Sequence, residues 1–125
     1  MGYTVSWEQL PHNEYVYNKL LTILPKVLDE DTQLKIEPWG FIVGNNENES
    51  FVIEKYPSVA TFTKTNRLPY TKEVMKTLIL MAEYSLATML EDSDDNRKAF
   101  LGPLEEVQSK YTLDTYEKQK SYFNM

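Results

Sequence analysis

TKEVMKTLILMAEYSLATMLE, residues Thr71 to Glu91, is the stretch whose reading decides the fold. It is the one segment long and apolar enough to organise a whole domain. Projected as a helix, Val74, Met75, Leu78, Ile79, Met81, Ala82, Leu86 and Met89 span an arc of about 160°, with Ser85 inside it. Lys72, Lys76 and Glu83 form a charged stripe that should be wet or rim-like. A second, smaller apolar patch, Leu80, Tyr84 and Ala87, lies between that stripe and Thr77 and Thr88. The C-terminal helices are expected to cover this patch. Left uncovered, Leu80 and Tyr84 would mark a partner surface.

Working outward, residues 33–65 read as strands, so the helix must pack on a small sheet. Leu34 to Pro38 is a short strand closed by its proline. Gly40–Val43 and Ser50–Tyr56 flank the polar run Gly44 to Glu49, whose Gly and Asn residues tolerate the positive φ of a hairpin loop. Val59 to Thr65 is rich in β-branched residues and supplies a further strand. Three or four antiparallel strands in one meander follow. Phe41, Phe51, Phe62, Trp39 and Tyr56 are expected to be mostly core residues of that sheet.

Upstream, Ser6 to Gln9 has the spacing of a capping box for a short turn ended by Pro11. Asn13 can cap a helix over 13–29. Val16, Tyr17, Leu20, Leu21, Ile23, Leu24, Val27 and Leu28 share one face of it, and Pro25 projects to the polar side. Downstream, a polar break at Asp92 to Asn96 precedes C-terminal helices over 95–123. One is expected to run through Leu101. Another starts after Gly102-Pro103, and a reset near Asp114 begins the last. The fold class is α+β in a single domain of 125 residues: an N-terminal amphipathic helix, the meander, a long central helix over 71–91 and short C-terminal helices.

Composition narrows the function. The chain is 42% apolar and 26% charged, as globular domains are. Without cysteine it has no disulfide, thiol nucleophile or thiolate metal ligand. No signal-peptide pattern and no run of membrane-spanning length is present, so a cytoplasmic protein of a bacterium or an infected host cell is expected. The Asn, Lys, Glu and Tyr content suits an AT-rich bacterial or phage genome. The net charge of −6 repels phosphate backbones and disfavours nucleic acid.

Catalytic and metal motifs fail one by one. Counted from Asp92, a calcium loop would need glycine where Arg97 stands and glutamate where Pro103 stands. His12 is the sole histidine, with no serine or carboxylate in a recognisable partner pattern. The four glycines, Gly2, Gly40, Gly44 and Gly102, never cluster into a phosphate loop. Glu37 and Glu54 read as solvent-facing strand residues. No enzyme and no cofactor is expected.

What remains is a small acidic protein-interaction domain of the inhibitor, adaptor, immunity or chaperone-like kind, with a protein partner or a homo-oligomer. Its candidate contact residues are Leu80 and Tyr84, the acidic Glu91, Asp92, Asp94 and Asp95, and the aromatic tail Tyr116, Tyr122 and Phe123. A nucleic-acid-associated module is the alternative. It would use the local exception to the acidic balance, Lys64, Arg67, Lys72 and Lys76, at a helix N-terminus where an anion is favoured. The simpler reading of these bases is that they pair with acids of the C-terminal third. A self-assembling structural subunit is a second alternative.

Overall fold

The computed structural model describes residues 4–9, 14–30, 32–43, 51–54, 61–64, 71–89 and 97–124. The chain order is β1 (Thr4–Gln9), α1 (Glu14–Val27), β2 (Leu34–Glu37), β3 (Gly40–Val43), β4 (Phe51–Glu54), β5 (Thr61–Lys64), α2 (Thr71–Glu83), β6 (Ala87–Met89), α3 (Leu101–Lys110) and α4 (Tyr116–Phe123). The architecture is α+β, with the strands in two separate antiparallel sheets ordered β2-β3-β4 and β5-β1-β6.

The single meander expected over 33–65 is therefore not formed. β5 leaves the neighbouring strands and pairs with β1, Thr4 opposite Lys64 and Trp7 opposite Thr61. The supposed capping box Ser6 to Gln9 is part of β1. Its near alternation of apolar and polar residues suits a pleat as well as its spacing suits a cap, and ladders on both sides decide the matter.

α1 buries Tyr17, Leu20, Ile23, Leu24 and Val27, the apolar face legible in its sequence. Pro25 lies on the exposed side in the last turn, and the helix continues past it, Leu28 N–H donating to Leu24 O at 3.1 Å. Residues of α1, α2 and α3 share one core with Phe41, Val43 and Ile53 of the first sheet. The Tyr17 and Phe41 rings meet 6.2 Å apart.

α2 is the hub, touching α1, α3 and β6. Two expectations about it are corrected. It ends at Glu83, well short of Glu91, because Ser85 adopts a left-handed φ of 59°. Leu86 N–H donates to Met81 O at 2.7 Å and Ser85 N–H to Ala82 O at 3.1 Å. This is the two-bond Schellman termination, with serine in the place where glycine is usual. The flanking apolar pair, Leu86 and Met81, is buried as that motif favours. Ala87–Met89 then forms β6 on the open side of β1, Trp7 opposite Met89. Good helix formers thus become a strand because β1 has an unpaired side to offer.

Nor is the charged stripe of α2 wet throughout. Glu73 and every residue from Val74 to Met81, Lys76 included, is buried. The other elements enclose this stretch on all sides, which a one-helix projection cannot register.

At the C-terminal end, residues 97–98 are helical and α3 begins at Leu101, just ahead of the start expected at Gly102-Pro103. Pro103 sits in its first turn, where a missing N–H costs nothing. The reset near Asp114 occurs, but Thr115 at the N-cap position does not cap the last helix with its own side chain. Glu83 does so from α2. Its carboxylate accepts from Asp114 N–H and Thr115 N–H, both at 2.9 Å, and from the Thr115 hydroxyl at 2.6 Å. An anion at a helix N-terminus meets the otherwise orphaned amides there.

Candidate functional site

Lys76 projects from a fully buried turn of α2, where an ammonium needs anionic company. Its Nζ lies 2.8 Å from Glu106 Oε2, 3.0 Å from Glu73 Oε1 and 3.2 Å from Asp29 Oδ1. A further contact at 3.2 Å joins it to the carbonyl of Val27. Four oxygens thus compete for three protons, and Glu73 Oε1 is the one left without an aligned hydrogen. The other Glu73 oxygen accepts the Asp29 backbone N–H at 3.0 Å. Lys72 reaches Glu106 Oε1 at 3.3 Å and Asp29 Oδ2 at 3.9 Å.

Titration follows from this geometry. Burial pushes the Lys76 ammonium toward deprotonation, but Glu106, Glu73 and Asp29 outweigh it and hold the group above its ordinary value. Hydrogen bonding and charge from Lys76, with Lys72 behind it, hold the Glu106 carboxyl low against its partial burial. Burial raises the Asp29 carboxyl, and the same two lysines more than reverse that. The knot ties the end of α1 to α2 and α3. It leaves Lys76 no access to an outside anion, which corrects its assignment to an anion site, and commits Lys72 to carboxylates. The side chain of Lys64 and all of Arg67 lie outside the described residues.

The candidate contact residues fare unevenly. Leu80 is fully buried, so it is core and not a partner surface. Phe123 is likewise buried, its ring stacked 4.9 Å from that of Phe100. The burial of Leu80 is the outcome expected of a patch covered by the C-terminal helices, α3 and α4 docking on α2, and the partner-surface alternative is corrected for both residues. Tyr84 is half-buried, its hydroxyl bonded to that of Tyr111 and its ring under the Lys19 ammonium at 5.5 Å. Burial first, and the Tyr111 bond second, raise the Tyr84 hydroxyl far above its ordinary value. Tyr116 is half-buried and donates to the Glu105 carboxylate, a bond that pushes the pKa of its hydroxyl up. Tyr122 is half-buried, set edge-on to Phe123. Glu91, Asp92, Asp94, Asp95 and His12 lie outside the described residues.

Exposed apolar surface gathers elsewhere. Among the described residues, Tyr15 stands alone on α1 at 75% exposure, whereas Ile36, 52% exposed, and Trp39, 48% exposed, lie three residues apart on β2 and the turn after it. Trp39 was expected in the core, and this too is corrected. Pro38 and Trp39 form the two-residue connection between Glu37 and Gly40, which places the ring at the tip of the hairpin. Pro before and Gly after that position carried the turn signal. Ile36 pairs with the fully buried Phe41, so it stands on the core-facing side of the sheet. It is bare because β2 is outermost there.

The backbone of β2 is open in the same direction. In a hairpin closed by a two-residue turn, the closing pair is hydrogen-bonded and so is every second pair beyond it. Glu37 therefore bonds Gly40 and Lys35 bonds Ile42, while Leu34 and Ile36 turn their N–H and C=O groups outward. No strand among the described residues takes them up. Lys35 and Glu37 alternate with these residues on the opposite face, 3.5 Å apart. A bare edge with an isoleucine and a tryptophan beside it can add an extended segment as a further strand.

Among the described residues, no three His, Asp or Glu side chains are placed to hold a metal ion. No helix among them is long and apolar enough to cross a membrane. Comparison with protein-family models, with curated proteins and with solved structures finds no match.

Proposed function

We propose that this chain is a non-catalytic protein-interaction domain that engages its partner along the open edge of β2. The exposure of Ile36 and Trp39 beside a strand edge that no other described strand pairs with is the observation that carries this reading. Large apolar side chains grouped at a sheet edge are an aggregation hazard that proteins usually blunt, so an edge left bare in this way suits a strand taken up in a complex. Main-chain bonds would supply affinity. The Ile36 and Trp39 side chains would supply selectivity.

An inhibitor or adaptor role fits this mode, as does a place in a larger assembly. Nucleic-acid binding is disfavoured by the net charge of −6 and by the carboxylates that already claim Lys72 and Lys76. The test is affinity capture with wild-type protein and with the variants Ile36→Asp and Trp39→Ala, after their folding is checked by circular dichroism. A captured protein lost with both variants supports the reading. Capture that ignores both substitutions overturns it.

A further inference from the structure

We propose that the strand taken up by β2 is β2 of a second copy of this chain, paired antiparallel about a two-fold axis through Ile36. The inference rests on the edge of β2 being the contact surface. It adds the identity of the occupant.

The sequence of β2 and its turn is complementary to itself in one register only. A two-fold axis at Ile36 places Ile36 opposite Ile36 of the second copy, Lys35 opposite Glu37 and Glu37 opposite Lys35. The two opposite-charge pairs fall on the outer face, where both side chains already stand. The two isoleucines fall together on the core-facing side, where each is now 52% exposed. Shifting the axis by one residue in either direction sets lysine against lysine or glutamate against glutamate.

Backbone chemistry agrees with the same register. Ile36 turns its N–H and C=O outward, and facing Ile36 of the second copy it exchanges both bonds, as a directly opposed hydrogen-bonded pair does. Leu34 N–H then meets the carbonyl of Pro38 of the second copy. Pro38 has no N–H and asks for nothing in return. Trp39 comes to lie just past the end of the short ladder on each side, beside Gln33 and Leu34 of the second copy. The product is one continuous sheet of both copies, its outermost strands now β4. A contact of one short strand and its turn is small, so the dimer should be weak and reversible.

Lysine on an edge strand ordinarily discourages self-pairing. Here its neighbour two positions on is a glutamate, which converts the deterrent into a register mark. A one-sided partner would need no such symmetry.

Sedimentation equilibrium over a roughly hundredfold range of concentration tests this. The wild-type chain should show a reversible monomer–dimer equilibrium. Lys35→Glu places like charges opposite each other twice, and should weaken association roughly tenfold or more. The double exchange Lys35→Glu with Glu37→Lys restores complementarity only between two copies carrying it, and should recover most of the loss. Lys35 is exposed, so folding is unaffected, which thermal unfolding verifies. A strictly monomeric wild type, or a double exchange no better than the single one, overturns the proposal. If the chain is monomeric but Ile36→Asp still abolishes capture of another protein, only self-pairing falls. If Ile36→Asp alters neither readout, the contact surface falls with it.

Discussion

Replacing Lys76 by methionine tests the account of the buried knot most severely. The change keeps the length of the side chain and removes its charge. Asp29 and Glu106 are about two-fifths exposed, so water and Lys72 compensate them, and each should account for less than about 1 kcal/mol of the cost. Glu73 is 2% exposed, and among the described residues Lys76 is its one cationic partner. Leaving a buried carboxylate uncompensated costs about 3–5 kcal/mol. With an unfolding entropy of about 2.1 cal/mol/K per residue over 125 residues, a loss of 3 kcal/mol lowers the melting temperature by roughly 11 °C. Circular dichroism during thermal and urea unfolding reads it. Adding Glu73→Gln removes the stranded charge while keeping an acceptor for the Asp29 N–H, so the double variant should regain about 2 kcal/mol of the loss. A single variant as stable as wild type at pH 7, or a double variant less stable than the single, would refute the reasoning.

The wild type should have its own pH profile. Glu106 and Asp29 are held below their ordinary 4.5 and 3.8, so the stability they confer is present above those values and is lost as pH falls below them. Lys76 is held above its ordinary 10.5, so its contribution is complete below that value and is lost as pH rises through the raised one. Urea midpoints across pH should therefore show a plateau between about 4.5 and 10.5 with respect to this cluster, falling on both sides. Ser85→Gly removes a left-handed conformation costing roughly 1–2 kcal/mol for an L-residue and adds chain entropy to the unfolded state, for a net gain of about 0.5–1 kcal/mol by urea unfolding. Glu83→Ala deprives the start of α4 of its acceptor and should cost about 1–2 kcal/mol, with hydrogen exchange of the Asp114 and Thr115 amides accelerating more than that of the α1 core.

How far the sequence could be read depended on whether each signal was local. The face of α1 was legible because Tyr17, Leu20, Ile23, Leu24 and Val27 repeat at helical spacing and nothing competes with that repeat. The antiparallel run of β2, β3 and β4 was foreshadowed by turn residues between short apolar runs, yet the departure of β5 was not. Its pairing with β1 joins residues sixty positions apart, Thr4 with Lys64, and short strands carry no mark of their partners. The end of α2 was hidden because Ser85 is an unremarkable helix residue until its φ is known. The bare edge was hidden because Ile36 and Trp39 look like core by type, and only the place of β2 at the margin exposes them.

By itself the chain determined that helices and sheet share one core, that thiol chemistry and clustered phosphate loops are absent, and where α1 turns its apolar face. These follow from residue type and short-range periodicity, which act within a turn or two. Only the tertiary structure decided that Lys76 is a buried structural cation, that Leu80 and Phe123 are core, and that Glu83 caps a helix other than its own. It also decided that two of the large exposed apolar side chains, Ile36 and Trp39, stand together at one strand edge. Burial, charge pairing across the core and the position of an edge are properties of what packs against a residue. For Lys72 and Glu106 the partners lie 34 positions apart, beyond the reach of any local pattern.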